Sequence, residues 1–218
     1  MDWRSFKSQI NFGLTSYCNA LCSMCERTIQ IDNLKVTHNS LEKIKHNIEH
    51  NVPDPITKII LAGDFGDPLM HPDISEIIDF IKQKNFDIVI HTNGGLRNAS
   101  WFKQIGEKHP DVEIVFGIDG TSQEINDKYR KNVDFDLALS NMLEYQKYVQ
   151  KDKCVWQYII FPWNLHQIQQ AKKICEGKNI YLYFIANDRG SDHDRISVQM
   201  YKRLSQFLTI DRKGSTYK

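Results

Sequence analysis

Short runs of aliphatic and β-branched residues recur along the chain, each followed by a stretch whose apolar positions fall three or four apart. A run that is apolar throughout suits a strand buried on both faces, and the wider spacing suits an amphipathic helix. Strands are expected over residues 9–14, 56–62, 86–90, 112–118, 155–161 and 180–185. Asn39 or Ser40 caps a helix carrying Leu41, Ile44 and Ile48, which Pro53 and Pro55 break. Asp73 with Glu76 three residues on makes a capping box, and Ile74, Ile77, Ile78 and Ile81 form that helix's buried stripe. Asn98 caps a helix to about residue 108, and others are expected over 134–149, 165–175 and 198–208. Six strands alternating with helices predict a parallel α/β sheet with right-handed crossovers. With no repeat and no compositional break, residues 1–218 read as one domain.

The polar residues fall just after the strands. The first strand leads into a cysteine loop, the second into Gly63 to Pro68, and the third into Thr92-Asn93-Gly94. The fourth ends at Asp119-Gly120, the fifth at Asn164, and the sixth at Asn187-Asp188-Arg189. In parallel α/β folds the carboxyl ends of the strands form the ligand face, so six separate segments converge on one mouth. Plainer roles exist for each: Asp119-Gly120 and Asn93-Gly94 are turn pairs, and Asp67 before Pro68 can start a turn. Arg130, between Lys128 and Lys131, can be a solvated charge; Trp156 and Trp163 suit packing, and His91 suits the core.

The cysteine loop is the most specific feature. Cys18, Cys22 and Cys25 are spaced C-x3-C-x2-C, and no fourth cysteine lies nearby. Thiolates are the usual protein ligands of iron-sulfur clusters, and three of them leave one iron of a 4Fe-4S cluster open. A structural zinc site wants four closed ligands, commonly two C-x2-C pairs. The nearest histidine, His38, has no partner at finger spacing. Zinc, a disulfide or chance spacing are the other readings of the loop taken alone. Cys154 and Cys175 lie in apolar segments and read as buried core thiols.

Composition narrows the setting. A formal net charge of +1 makes no general electrostatic case for nucleic acid. No apolar run approaches the roughly 20 residues of a membrane span. Met1 to Lys7 carries charges where a signal peptide would need an apolar core. Five cysteines without a disulfide framework point to a reducing cytoplasm.

With the loops placed, the chain resembles the radical S-adenosylmethionine (SAM) enzymes over nearly its whole length. Cys18, Cys22 and Cys25 match the family's cluster motif without gaps, and Met24 stands where an apolar residue packs near adenine. Phe65-Gly66-Asp67-Pro68-Leu69 corresponds to a Gly-Gly-Glu-like motif that binds the SAM amino group, with Asp67 in place of glutamate. The stretch from Gly117-Ile118-Asp119-Gly120 to Tyr129-Arg130 is similar to a Ser-Ile-Asp-Gly and Tyr-Arg region of peptide-modifying members, with Gly117 in place of serine. The resemblance implies that Asp119 reaches a ribose and Arg130 pairs with the SAM carboxylate. It further implies contacts from Thr92, Asn93 and Asn164, and places Ile185 and Ala186 beside adenine. The implied fold is a partial (β/α)6 TIM-like barrel. The implied cofactors are a 4Fe-4S cluster and SAM, cleaved by one electron to a 5'-deoxyadenosyl radical that abstracts hydrogen.

The substrate that the resemblance implies is a peptide or protein. A small molecule or nucleotide, or a glycyl-radical partner enzyme, are the alternatives, and outside catalysis the chain would be an iron-sulfur or zinc binding module. An electron donor such as flavodoxin or ferredoxin is implied as partner. Cys154 and Cys175 are too few to ligate a second 4Fe-4S cluster fully.

Overall fold

A computed structural model describes residues 8–63, 65–187, 189–191, 193–206, 208 and 210–212 of the chain. Asp64 and Asp188 of the predicted loops lie outside the described residues. Among the described residues seven strands form one parallel sheet: β1 (Gln9–Asn11), β2 (Lys58–Leu61), β3 (Asp87–Thr92), β4 (Glu113–Gly117), β5 (Cys154–Ile160), β6 (Tyr181–Ala186) and β7 (Ile210–Arg212). Their order across the sheet is their order in the chain. Doubly wound sheets reverse direction at a switch point; an unreversed parallel order belongs to the barrel family, here open between β1 and β7.

The six expected strands are all present, and β7 is an addition. The chain near Ile210 carries no long apolar run, and its pairing with Phe184, Ile185 and Ala186 comes from the exposed edge of β6. The first strand stops at Asn11, short of Leu14, because the chain then turns toward the cysteine loop.

The helices are α1 (Glu26–Ile29), α2 (Leu41–His50), α3 (Ile74–Gln83), α4 (Ala99–Lys108), α5 (Gln123–Asn126), α6 (Phe135–Tyr145), α7 (Ile168–Cys175) and α8 (Val198–Leu204). Ser40, Asn98, Asp134 and Ser197 cap α2, α4, α6 and α8 by accepting an N–H of the first turn. The expected capping box of α3 does not form. Asp73 makes no side-chain cap bond, and Glu76 instead pairs with Lys45 of α2 at 2.7 Å. Helix α6 ends at Tyr145 rather than residue 149, α8 ends at Leu204 rather than 208, and residues 165–167 form a 3-10 turn ahead of α7. The four-residue α1 and α5 are too short to show a helical period in the sequence.

Strand alternation separates two faces. Ile59, Leu61, Ile88, Ile90, Ile114, Phe116, Cys154, Trp156, Tyr158 and Ile160 pack with the helices in one large core. On the other face Val89, Val115 and Val155 form a separate apolar cluster with Ile60 and Tyr183. Helices thus cover one side, and the second side is the barrel interior. Trp156 and Cys154 are fully buried, as expected, with the indole N–H on the Ile118 carbonyl at 2.8 Å.

Candidate active site at the strand ends

The cysteine loop is held by four other strand-end loops. From the β2 loop, the Asp67 N–H donates to the Tyr17 carbonyl at 2.8 Å. From the β3 loop, Asn93 Nδ2 donates to Asn19 Oδ1 at 2.7 Å and reaches Cys18 Sγ at 3.8 Å. The loop after β4 accepts the Leu21 N–H on the Lys131 carbonyl at 2.9 Å. The β6 loop brings Asn187 Nδ2 to Met24 Sδ at 3.9 Å and Arg189 Nη1 to the Met24 carbonyl at 3.3 Å. Two glycines make the first of these contacts possible. A Cβ on Gly66 would lie 2.2 Å from the Thr15 carbonyl oxygen, and one on Gly63 would lie 1.4 Å from that of Gly66.

Cys22 is buried, Cys18 and Cys25 are partly so, and all five cysteines are free thiols. Burial, then the charge of Asp67, pushes the Cys18 thiol up to about 12. Burial likewise raises Cys22, opposed by Arg130, which hydrogen-bonds its sulfur. The Ala20 N–H at 3.4 Å and Asn93 Nδ2 both point at Cys18 Sγ. Among the described residues no three His, Cys, Asp or Glu side chains are placed to hold a single metal ion. A lone zinc would draw its sulfurs to about 2.3 Å from one point. Three thiols on one loop, with N–H donors on a sulfur and no fourth cysteine beside them, instead fit a larger cluster with one open corner. Cys154, buried and on the helix-facing side with its S–H toward the Met142 carbonyl, and Cys175 beside it are remote from the loop.

Asp67 is 4% exposed and already satisfied by protein donors. Its Oδ1 accepts from the Leu69 N–H at 3.0 Å. Its Oδ2 accepts from Thr92 Oγ1, the Asn93 N–H and Asn93 Nδ2, each at 2.9 Å. Burial still pushes its pKa up, against the Asn93 and Leu69 N–H groups, the Thr92 hydroxyl and the charge of Arg130. The carboxylate expected to meet the SAM ammonium directly therefore joins the β2 and β3 loops and aims Asn93 at Cys18. Phe65, at 36% exposure, and Gly66 leave their backbone at the mouth.

The β4 end has a similar internal knot. Asp119 is fully buried; Oδ1 accepts from the Ile159 N–H and Oδ2 from Arg130 Nε, both at 2.6 Å. The Arg130 guanidinium is held protonated by Asp119 and rests where a Gly117 side chain would stand, 2.8 Å from a Cβ built there. That explains the glycine: the space of the serine hydroxyl is filled by the arginine. Asn164, also fully buried, donates to the Asp119 and Ile159 carbonyls and accepts from the Phe161 N–H. It ties β4 to β5 beneath the mouth and presents no donor to a ligand. Ile185 and Ala186 end β6, 7% and 6% exposed.

Four residues of this architecture had weak sequence signals. Asn126 Oδ1 accepts the Asp119 N–H at 2.9 Å, and Asn141 on α6 donates to the Gly94 and Leu96 carbonyls. Asn141 sits in an otherwise apolar stripe with Ala138, Met142 and Tyr145, a polar interruption that marks a buried partner. Asn187 and Arg189 were legible only as polar residues after a strand. His91 faces the barrel interior beside Val115, and burial lowers its pKa to about 4, so its ring is neutral near pH 7.

The family model described as the Radical SAM superfamily matches residues 13–175, three quarters of the chain. The chain belongs to the radical SAM superfamily. Superfamily members use a 4Fe-4S cluster and SAM. A tungsten-containing aldehyde ferredoxin oxidoreductase cofactor-modifying protein of Pyrococcus furiosus is 28% identical over 107 residues, covering 49% of this chain and 29% of the relative. An AdoMet-dependent heme synthase of Methanosarcina barkeri is 24% identical over 215 residues, covering 94% of this chain and 59% of the relative. The chain thus spans less than two thirds of either relative. Among solved structures, Streptococcus suis SuiB bound to precursor peptide SuiA aligns with a TM-score of 0.73 at 15% identity, over 95% of this chain and 49% of that one. That likeness shows a shared fold. Among the described residues no helix is long and apolar enough to cross a membrane.

Proposed function

We propose that this chain holds a 4Fe-4S cluster on Cys18, Cys22 and Cys25 and cleaves SAM reductively to abstract a hydrogen atom from a peptide or protein substrate. The observation that carries the reading is the tie of four strand-end loops to a three-cysteine loop in a radical SAM chain. When bound, the cluster and SAM supply one-electron cleavage and a 5'-deoxyadenosyl radical. The chain's own residues bind, orient and exclude water.

In this reading Phe65 and Gly66 offer backbone carbonyls to the SAM ammonium, while Met24, Ile185 and Ala186 supply apolar walls for adenine. Arg130 is the cation for the SAM carboxylate, since a guanidinium fork matches a carboxylate. Asp67, Thr92 and Asn93 position the Cys18 side of the loop; Asp119 and Asn164 position Arg130 and the β5 end. A flavodoxin- or ferredoxin-type protein in a reducing cytoplasm would deliver the electron, a setting that five free thiols support. The peptide preference is supported by the open edge between β1 and β7 and by the fold shared with a peptide-bound enzyme. A small-molecule substrate is the second reading, favoured by the match of 94% of this chain to a heme synthase.

Anaerobic reconstitution tests the core claim. About four irons and four sulfides per chain, and 5'-deoxyadenosine released on adding SAM and dithionite, are expected. Cys22→Ala should lose the cluster while folding, and Cys154→Ala should keep it. A folded Cys22→Ala protein with a full cluster overturns the ligand assignment, and a loaded wild type that never cleaves SAM overturns the activity.

A further inference from the structure

Four buried side-chain atoms among the described residues have no hydrogen-bond partner, and two belong to adjacent residues just after the third cysteine: Arg27 Nη1 and Thr28 Oγ1. Arg27 is the more demanding case, because it is a cation at 7% exposure. Its Nε donates to the Ser16 carbonyl at 3.0 Å. No carboxylate pairs with it among the described ion pairs. A buried charge without a counter-charge is costly, and a buried N–H without an acceptor adds to that cost. The Nε bond to Ser16 ties the residue two after Cys25 to the residue two before Cys18, so the guanidinium bridges the two ends of the cysteine loop.

We propose that Arg27 is the counter-charge and N–H donor of the cluster, and that it raises the cluster's reduction potential. The inference rests on the cluster assignment above. A cluster held by three thiolates is net negative and more so once reduced, so a nearby cation favours the reduced form. Net charge and hydrogen bonds to sulfur are among the factors that set such potentials. Arg27 touches no reacting atom in this account. It acts through the cluster and is a positioning residue. Loading the cluster would also supply the acceptor that Nη1 lacks, so the same residue links assembly of the centre to stability of the loop.

The test is an anaerobic potentiometric titration of the reconstituted full chain, followed by electron paramagnetic resonance of the reduced cluster. Arg27→Gln removes the charge and keeps a polar side chain; Arg27→Lys keeps the charge and loses the planar fork. With iron and sulfide content equal to wild type, the potential should move to more negative values in Arg27→Gln and lie between the two in Arg27→Lys. Equal potentials in all three proteins overturn the proposal, even if the glutamine variant is less stable. Should Arg27→Gln fail to hold a cluster, Arg27→Lys decides: a more negative potential with altered iron-thiolate stretching frequencies supports it, and no change in either refutes it. A wild type that holds no 4Fe-4S cluster would instead overturn the function above, so the two failures are distinct.

Discussion

At the residue scale, Asp67 carries four protein donors on the carboxylate that is expected to meet the SAM ammonium. Direct contact would make Asp67→Asn weaken SAM binding by about 1.5–3 kcal/mol, the range for hydrogen bonds to charged groups. The observed four-donor arrangement changes the expectation. An amide oxygen turned to Thr92 and Asn93 leaves its NH2 facing the Leu69 N–H, so one buried donor is stranded at a cost of about 1–3 kcal/mol. That loss should show in urea unfolding of the cluster-free protein, before SAM is added; unchanged stability with weakened SAM binding would restore the direct contact. His91 carries a pH signature. Its folded pKa of about 4 lies below the usual 6.5, so between these values the unfolded chain binds more protons than the folded one. Its contribution is complete above about pH 6.5 and is lost as pH falls toward 4. His91→Gln should flatten the pH dependence of stability in that window by roughly 1–3 kcal/mol. A parallel decline in the mutant would remove His91 as its source.

At the element scale, the end of β4 is a close-packed junction. The sheet positions Gly117 opposite Gln157, and Arg130 reaches back over it to Asp119 and Cys22. A serine there, the residue of the similar peptide-modifying region, would place its Cβ 2.8 Å from Arg130 Nη2. Gly117→Ser should therefore displace the guanidinium and destabilise the protein by about 1–3 kcal/mol, as other overpacking does. Thermal unfolding measures this. A variant of wild-type stability would mean that the arginine has a second seat of equal energy.

At the scale of the whole molecule, among the described residues, strands β2 to β6 are paired on both sides, whereas β1 and β7 are paired on one. Hydrogen exchange should be slowest in β3, β4 and β5, which carry paired neighbours and a helix layer, and fastest in the two edge strands. Protection of β1 equal to that of β4 would imply that the edge is covered in solution. Openness of the edge is also what the peptide reading needs, so this measurement bears on substrate access.

The sequence by itself determined the first six strands, the caps of α2 and α4, the one-mouth arrangement and the three-cysteine loop, because each is written in local periodicity or spacing. It did not determine which polar residues at the mouth remain free. Asp67, Asp119 and Asn164, which the family resemblance names as SAM contacts, also have protein partners in Thr92, Asn93, Ile159 and Phe161, residues up to 40 positions away. The capping box at Asp73 failed for the same kind of reason, since Lys45 from another helix offered Glu76 a charge-assisted partner. Strand β7 and the lone guanidinium nitrogen of Arg27 were likewise settled only by the fold. A hydrogen-bonding group has few partners in its own segment, and in a packed interior the partner that satisfies it is chosen by whichever loop the sheet brings alongside.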